Sequence, residues 1–281
     1  MPTKVAYLGP EGTYAQKAAE FLAELENLKE PIFIPFKGLR SVIDNVAHEN
    51  CDAAVVPIEN SVEGGVTTTL DALWINPNLF ICRAIVLPIR HALFSNGSLT
   101  EISEVLSHPQ ALAQCSEWLS KNIPNAFLLP TNSTSEAMKM VVGSKFRAAI
   151  GSQSSIQSKR LNKIAYPIND IEGNCTRFIL LKTKEIEKES NFISFAFSLK
   201  SNSPGALLNA LNCIAKLGFN MSRIESRPSK RELGEYIFFV DVEMNEKNKK
   251  FKIELLKSMK EFCKNFVFFG SYPNSTIESN I

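Results

Sequence analysis

Histidine is scarce in this chain. Only His48, His91 and His108 occur, too few and too far apart to form a Ser-His-Asp triad or a histidine metal site. The six cysteines, at 51, 82, 115, 175, 213 and 263, include no C-x-x-C pair and have mostly apolar neighbours. That spacing excludes a zinc ribbon, argues against a disulfide framework, and makes a reduced cytosolic protein the expectation. A strong net charge is also lacking: 31 basic against 29 acidic residues leave +2. Nucleic acid is therefore not an expected partner, because phosphate binding needs concentrated basic surface. The locally basic stretch 247–264 is interspersed with glutamate and reads as a solvated helix face. No run approaches the roughly 18 apolar residues of a membrane helix. The start, MPTKVAYLGP, shows neither a signal nor a transit pattern, so the expectation is a soluble, cytoplasmic protein with no membrane partner. Walker, G-x-G-x-x-G and G-x-S-x-G motifs are missing as well.

What is present is alternation. Short apolar runs at 4–9, 32–36 and 52–58 are separated by helical patterns over 13–28, 39–49 and 66–74. Thr13 and Gln16 fit a capping box for the first of these helices. A long extended stretch follows at 79–94. Strands at 104–108, 126–130 and 147–151 then alternate with helices over 110–121, 135–142 and 154–161, and the segments 163–168 and 176–182 close the region. The fold class is α/β, in two lobes: lobe one about 1–78 and 165–183, lobe two about 79–164. TKEIEKES (183–190) is a charged linker. Beyond it, 191–273 spells β-α-β-β-α-β, the ferredoxin-like order, with Pro204 suited to a first helical turn and Gly218 to a helix end.

In open α/β sheets, ligands bind beyond the carboxyl ends of the strands, where helix N-termini offer free N–H groups. Those junctions here are GPEGT (9–13), ENSVEGG (59–65), Thr131 to Ser135, and Gly151, Ser152 and Gln153. Their Gly, Ser, Thr, Asn and Gln suit a small anion held by neutral donors, although each junction alone is an ordinary N-cap. Glu59 reads equally as an acid or base and as a capping residue. His108 before Pro109 suits a cap, and Cys115 suits packing. Residues alone lead to a two-lobed α/β anion binder with a small C-terminal domain.

GPEGTY, PIENSVEGG, HPQALAQC, NCTRF, GALLNAL, IESRP and GSYP occur in this order from residue 9 to residue 273. Together they resemble the prephenate dehydratase family over nearly the whole chain. The resemblance implies a catalytic domain at 1–183 like type II periplasmic binding proteins and an ACT regulatory domain at 191–273. It implies decarboxylative dehydration of prephenate to phenylpyruvate, water and CO2 in phenylalanine biosynthesis. No electron sink is needed, so no cofactor and no metal is implied. Thr176 is then the catalytic hydroxyl, and Arg177 a fork for a substrate carboxylate. Strand neighbours face opposite sides, so both share a pocket only if Gly173 and Asn174 make an irregular strand entrance. Thr13, Tyr14, Glu59, Asn60, Ser61 and Gly64 would line the cleft; Phe178 is counted with them, although its own pattern reads as core. Ala15 departs from the serine common after GTY. In the ACT region, Gly205, Ala206, Leu207, Asn220, Glu225, Ser226, Arg227 and Pro228 would bind phenylalanine as feedback effector, with Glu225 on its ammonium or in a salt bridge to Arg223 or Arg227. A homodimer or homotetramer follows from ACT pairing. The resemblance further implies that the helical chorismate mutase domain sometimes fused to this enzyme is lacking. Arogenate dehydratase and a non-catalytic amino-acid sensor are the alternatives.

Overall fold

The structure is a computed structural model that describes residues 1–153, 160–186, 188–232 and 234–277; residues 154–159, within the helix expected over 154–161, lie outside them. The first cycle is β1 (Lys4–Leu8), α1 (Tyr14–Leu25), β2 (Ile32–Phe36), α2 (Leu39–Ala47), β3 (Ala53–Asn60), β4 (Gly64–Gly65) and α3 (Thr67–Ile75). Thr13 caps α1 by accepting from the Gln16 N–H at 3.4 Å, but the Gln16 side chain takes the Gly12 N–H at 2.7 Å, one residue before the expected box partner. Then come β5 (Phe80–Pro88), β6 (Ala92–Ser95), β7 (Glu104–Ser107), α4 (Pro109–Ala113), α5 (Ser116–Asn122), β8 (Phe127–Pro130), α6 (Thr134–Val141), β9 (Arg147–Gly151), β10 (Asn162–Ala165) and β11 (Cys175–Lys182). The last unit is β12 (Phe192–Leu199), α7 (Ala206–Lys216), β13 (Asn220–Pro228), β14 (Tyr236–Glu243), α8 (Lys252–Phe262), β15 (Cys263–Tyr272) and β16 (Asn274–Thr276).

Three sheets result. The first is mixed and seven-stranded, in the order β16-β5-β11-β3-β1-β2, with β4 added to β3. The second is the five-stranded β10-β6-β9-β7-β8, and the third the four-stranded β13-β14-β12-β15. The chain passes from the first sheet to the second and back, which gives the two lobes expected. The outward crossing is later than the break expected near 78. β5 stays in the first sheet between β11 and β16, and the chain crosses between Pro88 and Ala92. The reason is burial: Cys82, Ala84, Ile85 and Leu87 are almost inaccessible, and only a central strand covers both faces in this way.

The single helix expected over 110–121 is two. Asp170 accepts from the N–H groups of Glu117 (3.0 Å) and Trp118 (2.9 Å), starting α5 afresh and leaving Gln114 as the C-cap of α4. His108 caps α4 through Nδ1, which accepts from the Gln110 N–H at 3.3 Å. Cys115 is fully buried and its thiol is pushed up to about 12 by that burial, which suits packing and not chemistry.

The third sheet has the ferredoxin-like order, with α7 and α8 packed on one face through Phe195, Ile214, Leu255 and Met259. Gly205, at φ +82°, is the N-cap of α7, so Pro204 precedes the helix and not its first turn. The helix-free face does not see solvent. Ala196, Ile237, Phe239, Phe269 and Tyr272 share a core with Ile81, Ile179 and Leu181 of the first sheet. Each large side chain buried there contributes about 1.5–3 kcal/mol, so the small domain is docked and not tethered. β16 then adds parallel to β5 and closes the attachment. No helix among the described residues is long and apolar enough to cross a membrane.

Candidate active site

β11 runs antiparallel between β3 and β5, with Thr176 opposite Asn60 and Arg177 opposite Glu59. One residue further the register slips, and Phe178 faces Pro57. Ile58 is the extra residue of a bulge. The bulge turns Glu59 onto the face of Arg177 and Asn60 onto the face of Thr176. The irregularity therefore lies in β3, not at Gly173 and Asn174, and it leaves Thr176 and Arg177 on opposite faces.

Thr176, Asn60 and Asn174 are all buried. Their amide orientations follow from the backbone. Asn60 Oδ1 accepts from the N–H groups of Val62 (3.0 Å) and Glu63 (3.1 Å), so the other end of its amide is the donor. That Nδ2 group points to Thr176 Oγ1 at 2.9 Å, Asn174 Oδ1 at 3.0 Å and the Cys175 carbonyl at 3.1 Å. Asn174 Nδ2 then donates to Gln114 Oε1 (3.0 Å), and Gln114 Nε2 to Glu63 Oε1 (3.0 Å). His91 Nε2 lies 3.1 Å from the same Gln114 oxygen and must carry its proton there. The chain of donors links lobe one, the crossing segment and lobe two. Its consequence for Thr176 is chemical: the hydroxyl oxygen is engaged as an acceptor, so its own O–H is left to donate. A cavity of about 330 Å³ borders the network, lined in part by Glu63, Gln114, Asp170 and Asn174.

The other expected cleft residues divide. Tyr14 Oη donates to the Arg90 carbonyl and accepts from the Arg90 N–H at 3.0 Å, which ties α1 to the crossing segment. The Thr13 hydroxyl is taken up by its cap and the Leu8 carbonyl. Ser61 staples its turn to the entry of β11, donating to the Gly173 carbonyl (3.2 Å) and accepting from the Cys175 N–H (3.0 Å). Gly64 closes that turn at φ +82°, a conformation glycine adopts without strain. Phe178 is core, packed with Tyr7, Ala15 and Leu180.

Arg177 is a correction. Its guanidinium is buried away from Thr176, pairing with Glu59 at 3.1 Å and with Asp241 of β14. Period-two alternation alone puts it there. Burial would raise the Asp241 carboxyl, but Arg223 and Arg177 outweigh it and hold it well below the usual carboxylate range. Gln114, Asn174, His91 and Glu63 were missed as a group. Asn174 and Gln114 stand inside NCTRF and HPQALAQC, but the pairing between them depends on the helix break at Cys115.

His91 gives a test in pH. Burial lowers its pKa below the ordinary 6.5, against a smaller opposing effect of the Gln114 hydrogen bond. The unfolded chain then binds the proton first, so stability is full above 6.5 and falls as pH drops below it. We expect the melting temperature to fall from pH 7 to pH 5 (roughly the window in which an ordinary histidine titrates), and less steeply in His91→Gln. Equal slopes in thermal melts of the two proteins would contradict this.

The expected effector residues also divide. On β13, Arg223, Glu225 and Arg227 face lobe one. Arg227 pairs with Asp71 of α3 at 3.2 Å, and the Glu225 carboxylate covers Gly65, where a Cβ would come within 1.8 Å of it. Glu225 and Arg227 are thus interdomain contacts here, the second correction. Ile224 and Ser226 face away and are exposed on an unpaired sheet edge. Gly205, Ala206 and Leu207 stand at the Pro228 end of β13 and Asn220 at the other, so a single copy does not unite them.

Fold and site define a class: a two-lobed α/β cleft enzyme, with an oriented hydroxyl donor and a docked ferredoxin-like domain. The prephenate dehydratase family model matches residues 5–186. A prephenate dehydratase from Methanocaldococcus jannaschii is 37% identical over 279 residues, 97% of this chain and 99% of that protein. The bifunctional chorismate mutase/prephenate dehydratase of Aquifex aeolicus is 35% identical over 98% of this chain and 75% of its own length. The crystal structure of prephenate dehydratase from Arthrobacter aurescens in complex with L-Phe matches with a TM-score of 0.85 at 32% identity, covering 96% of this chain and 90% of that one. This chain belongs to the prephenate dehydratase family, and its C-terminal part extends over the region that these relatives also carry.

Proposed function

We propose that this member of the family carries out the lyase reaction of phenylalanine biosynthesis with Thr176 as the donor to the leaving group. Prephenate loses its ring hydroxyl and ring carboxylate. The electrons of the breaking C–C bond enter the ring as CO2 departs, the C–O bond breaks, and one proton converts the leaving hydroxide to water. Aromatisation supplies the driving force, and the enzyme has to stabilise charge on the leaving oxygen. The observation that carries this reading is the Thr176 hydroxyl, whose acceptor side is occupied by Asn60 while its proton is available. Asn60 and Asn174 hold it, and the Gln114 bridge closes the lobes over it. Residues 1–183 form the catalytic domain and 191–273 the regulatory one. The six cysteines, all free, fit a reducing cytoplasm.

Regulation by phenylalanine is the companion reading, supported by the L-Phe complex of the Arthrobacter aurescens relative. The effector site closes between two copies. Antiparallel pairing of two β13 edges about a two-fold axis brings Asn220 of one copy to the Gly205, Ala206 and Leu207 end of the other, beside Ser226 and Pro228. A cavity of about 200 Å³ opens at the start of α7, lined by Pro204, Ala206 and Asn209 and, from the end of α8, by Glu261 and Phe262, away from β13. Sedimentation of the parent with and without phenylalanine tests this alongside turnover assays. The parent is expected to sediment as a dimer or tetramer and to be inhibited. Ile224→Lys, at the exposed edge, is expected to be monomeric, active and insensitive. A monomeric parent that is still inhibited would contradict the shared site.

A further inference from the structure

Thr176 and Arg177 are consecutive, yet one serves the cleft and the other meets the C-terminal sheet. The Arg177 guanidinium is held between one carboxylate from each domain, Glu59 and Asp241. Its Nε has no partner among the described residues. Glu59 is partly exposed, whereas Asp241 is fully buried and fixed in turn by Arg223 Nε (2.8 Å) and Ser194 Oγ (2.5 Å). The Ser194 hydroxyl also meets the Tyr272 hydroxyl at 2.6 Å. Asp241 is therefore the stiff end of the arrangement, and it belongs to the small domain. A second contact acts on the other strand. Glu225 lies over Gly65, which pairs with Glu59 and closes the turn whose N–H groups orient Asn60. Both strands that hold the Thr176 hydroxyl are thus braced from behind by side chains of the third sheet.

We propose that Asp241 is a positioning residue for the Thr176 hydroxyl, acting through Arg177, so that the C-terminal sheet is part of the catalytic apparatus and not only a regulatory attachment. This rests on the role given to Thr176 above. The physical reason is directional. A buried guanidinium that loses its buried partner is left uncompensated and turns to the remaining carboxylate, Glu59, or towards solvent. The strand residue next to it moves with the change, and displacement of a reacting group by about 1 Å costs on the order of 10²-fold in rate. The same contacts give any rearrangement of β13 and β14 a route to turnover.

The test is a mutant cycle on the full chain, read as kcat for prephenate at a temperature where circular dichroism shows every variant folded. Asp241→Asn is expected to lower kcat by about 10–100-fold in the parent, with KM within about twofold. In a Thr176→Val background the same change is expected to lower the residual rate by less than about twofold, because the group it positions is gone. Asp71→Asn, which removes two other interdomain ion pairs, to Arg227 and Lys230, is expected to leave kcat at the parent value. Should Asp241→Asn fail to fold, Ser194→Ala takes its place. It keeps both charges, leaves Asp241 Oδ1 with only the 3.5 Å contact from Arg223 Nη2, and is expected to show a smaller loss with the same dependence on Thr176. An equal fractional loss in both backgrounds, or parent-like turnover, would overturn the inference alone. A folded parent that does not turn over prephenate would overturn the reaction and this inference with it.

Discussion

Thr176→Val is expected to lower kcat for prephenate by about 10²–10³-fold while KM changes little, in the range found when one oriented donor to a developing oxyanion is removed. Valine matches threonine in shape, so β11 and the bulge opposite it are retained. The Asn60 amide loses one of three acceptors but keeps the Asn174 side chain and the Cys175 carbonyl. No buried donor is orphaned. What disappears is the proton aimed at the leaving hydroxyl, an interaction that strengthens as the C–O bond breaks, and such losses fall on kcat. Thr176→Ser, which restores the hydroxyl, is expected to recover most of the rate. Steady-state phenylpyruvate formation by the three proteins checks this. A valine variant with parent kcat would remove Thr176 from the chemistry.

Asn60→Asp is expected to be nearly as damaging, about 10²-fold in kcat, although Thr176 keeps its hydroxyl. The carboxylate still accepts from Val62 and Glu63, as Asn60 Oδ1 does. Its second oxygen, however, sits where an N–H group met three acceptors, and it has nothing to donate. The Thr176 proton rotates towards it and is withdrawn from the substrate. The Asn174 oxygen and the Cys175 carbonyl face an anion in place of a donor, so the folded state loses about 1–3 kcal/mol as well. Urea titration beside the kinetic assay separates the two effects. Asn60→Asp with unchanged turnover would show that the orientation of the Thr176 hydroxyl is immaterial.

Much of this was legible in the residues, and the part that was not has identifiable causes. The alternation of short apolar runs and helical patterns locates the strands, because a strand buried on one or both faces has few compositions open to it. Alternation also contains the fate of Arg177: a residue beside Thr176 on a regular strand faces away from it. Family likeness drew the two together, and the period-two rule separates them. The bulge at Ile58 leaves no mark in PIEN, since the extra residue is defined by its partner strand. The helix break at Cys115 is equally silent, because the capping carboxylate comes from Asp170, 52 and 53 residues from the amides it accepts from. Glu225 and Arg227 read as effector ligands because IESRP carries that association. Only the docked sheet shows that their face of β13 is turned towards Gly65 and Asp71. The late crossing into the second lobe has the same origin: an extended run over 79–94 does not disclose where it changes sheets.

The most direct measurement is phenylpyruvate production from prephenate at neutral pH by the purified full chain, with Thr176→Val, a no-enzyme control and arogenate in parallel. The parent is expected to turn over prephenate rapidly, and the variant about 10²–10³-fold more slowly yet above the control. Folded parent protein that converts neither substrate, or a variant as fast as the parent, would contradict it.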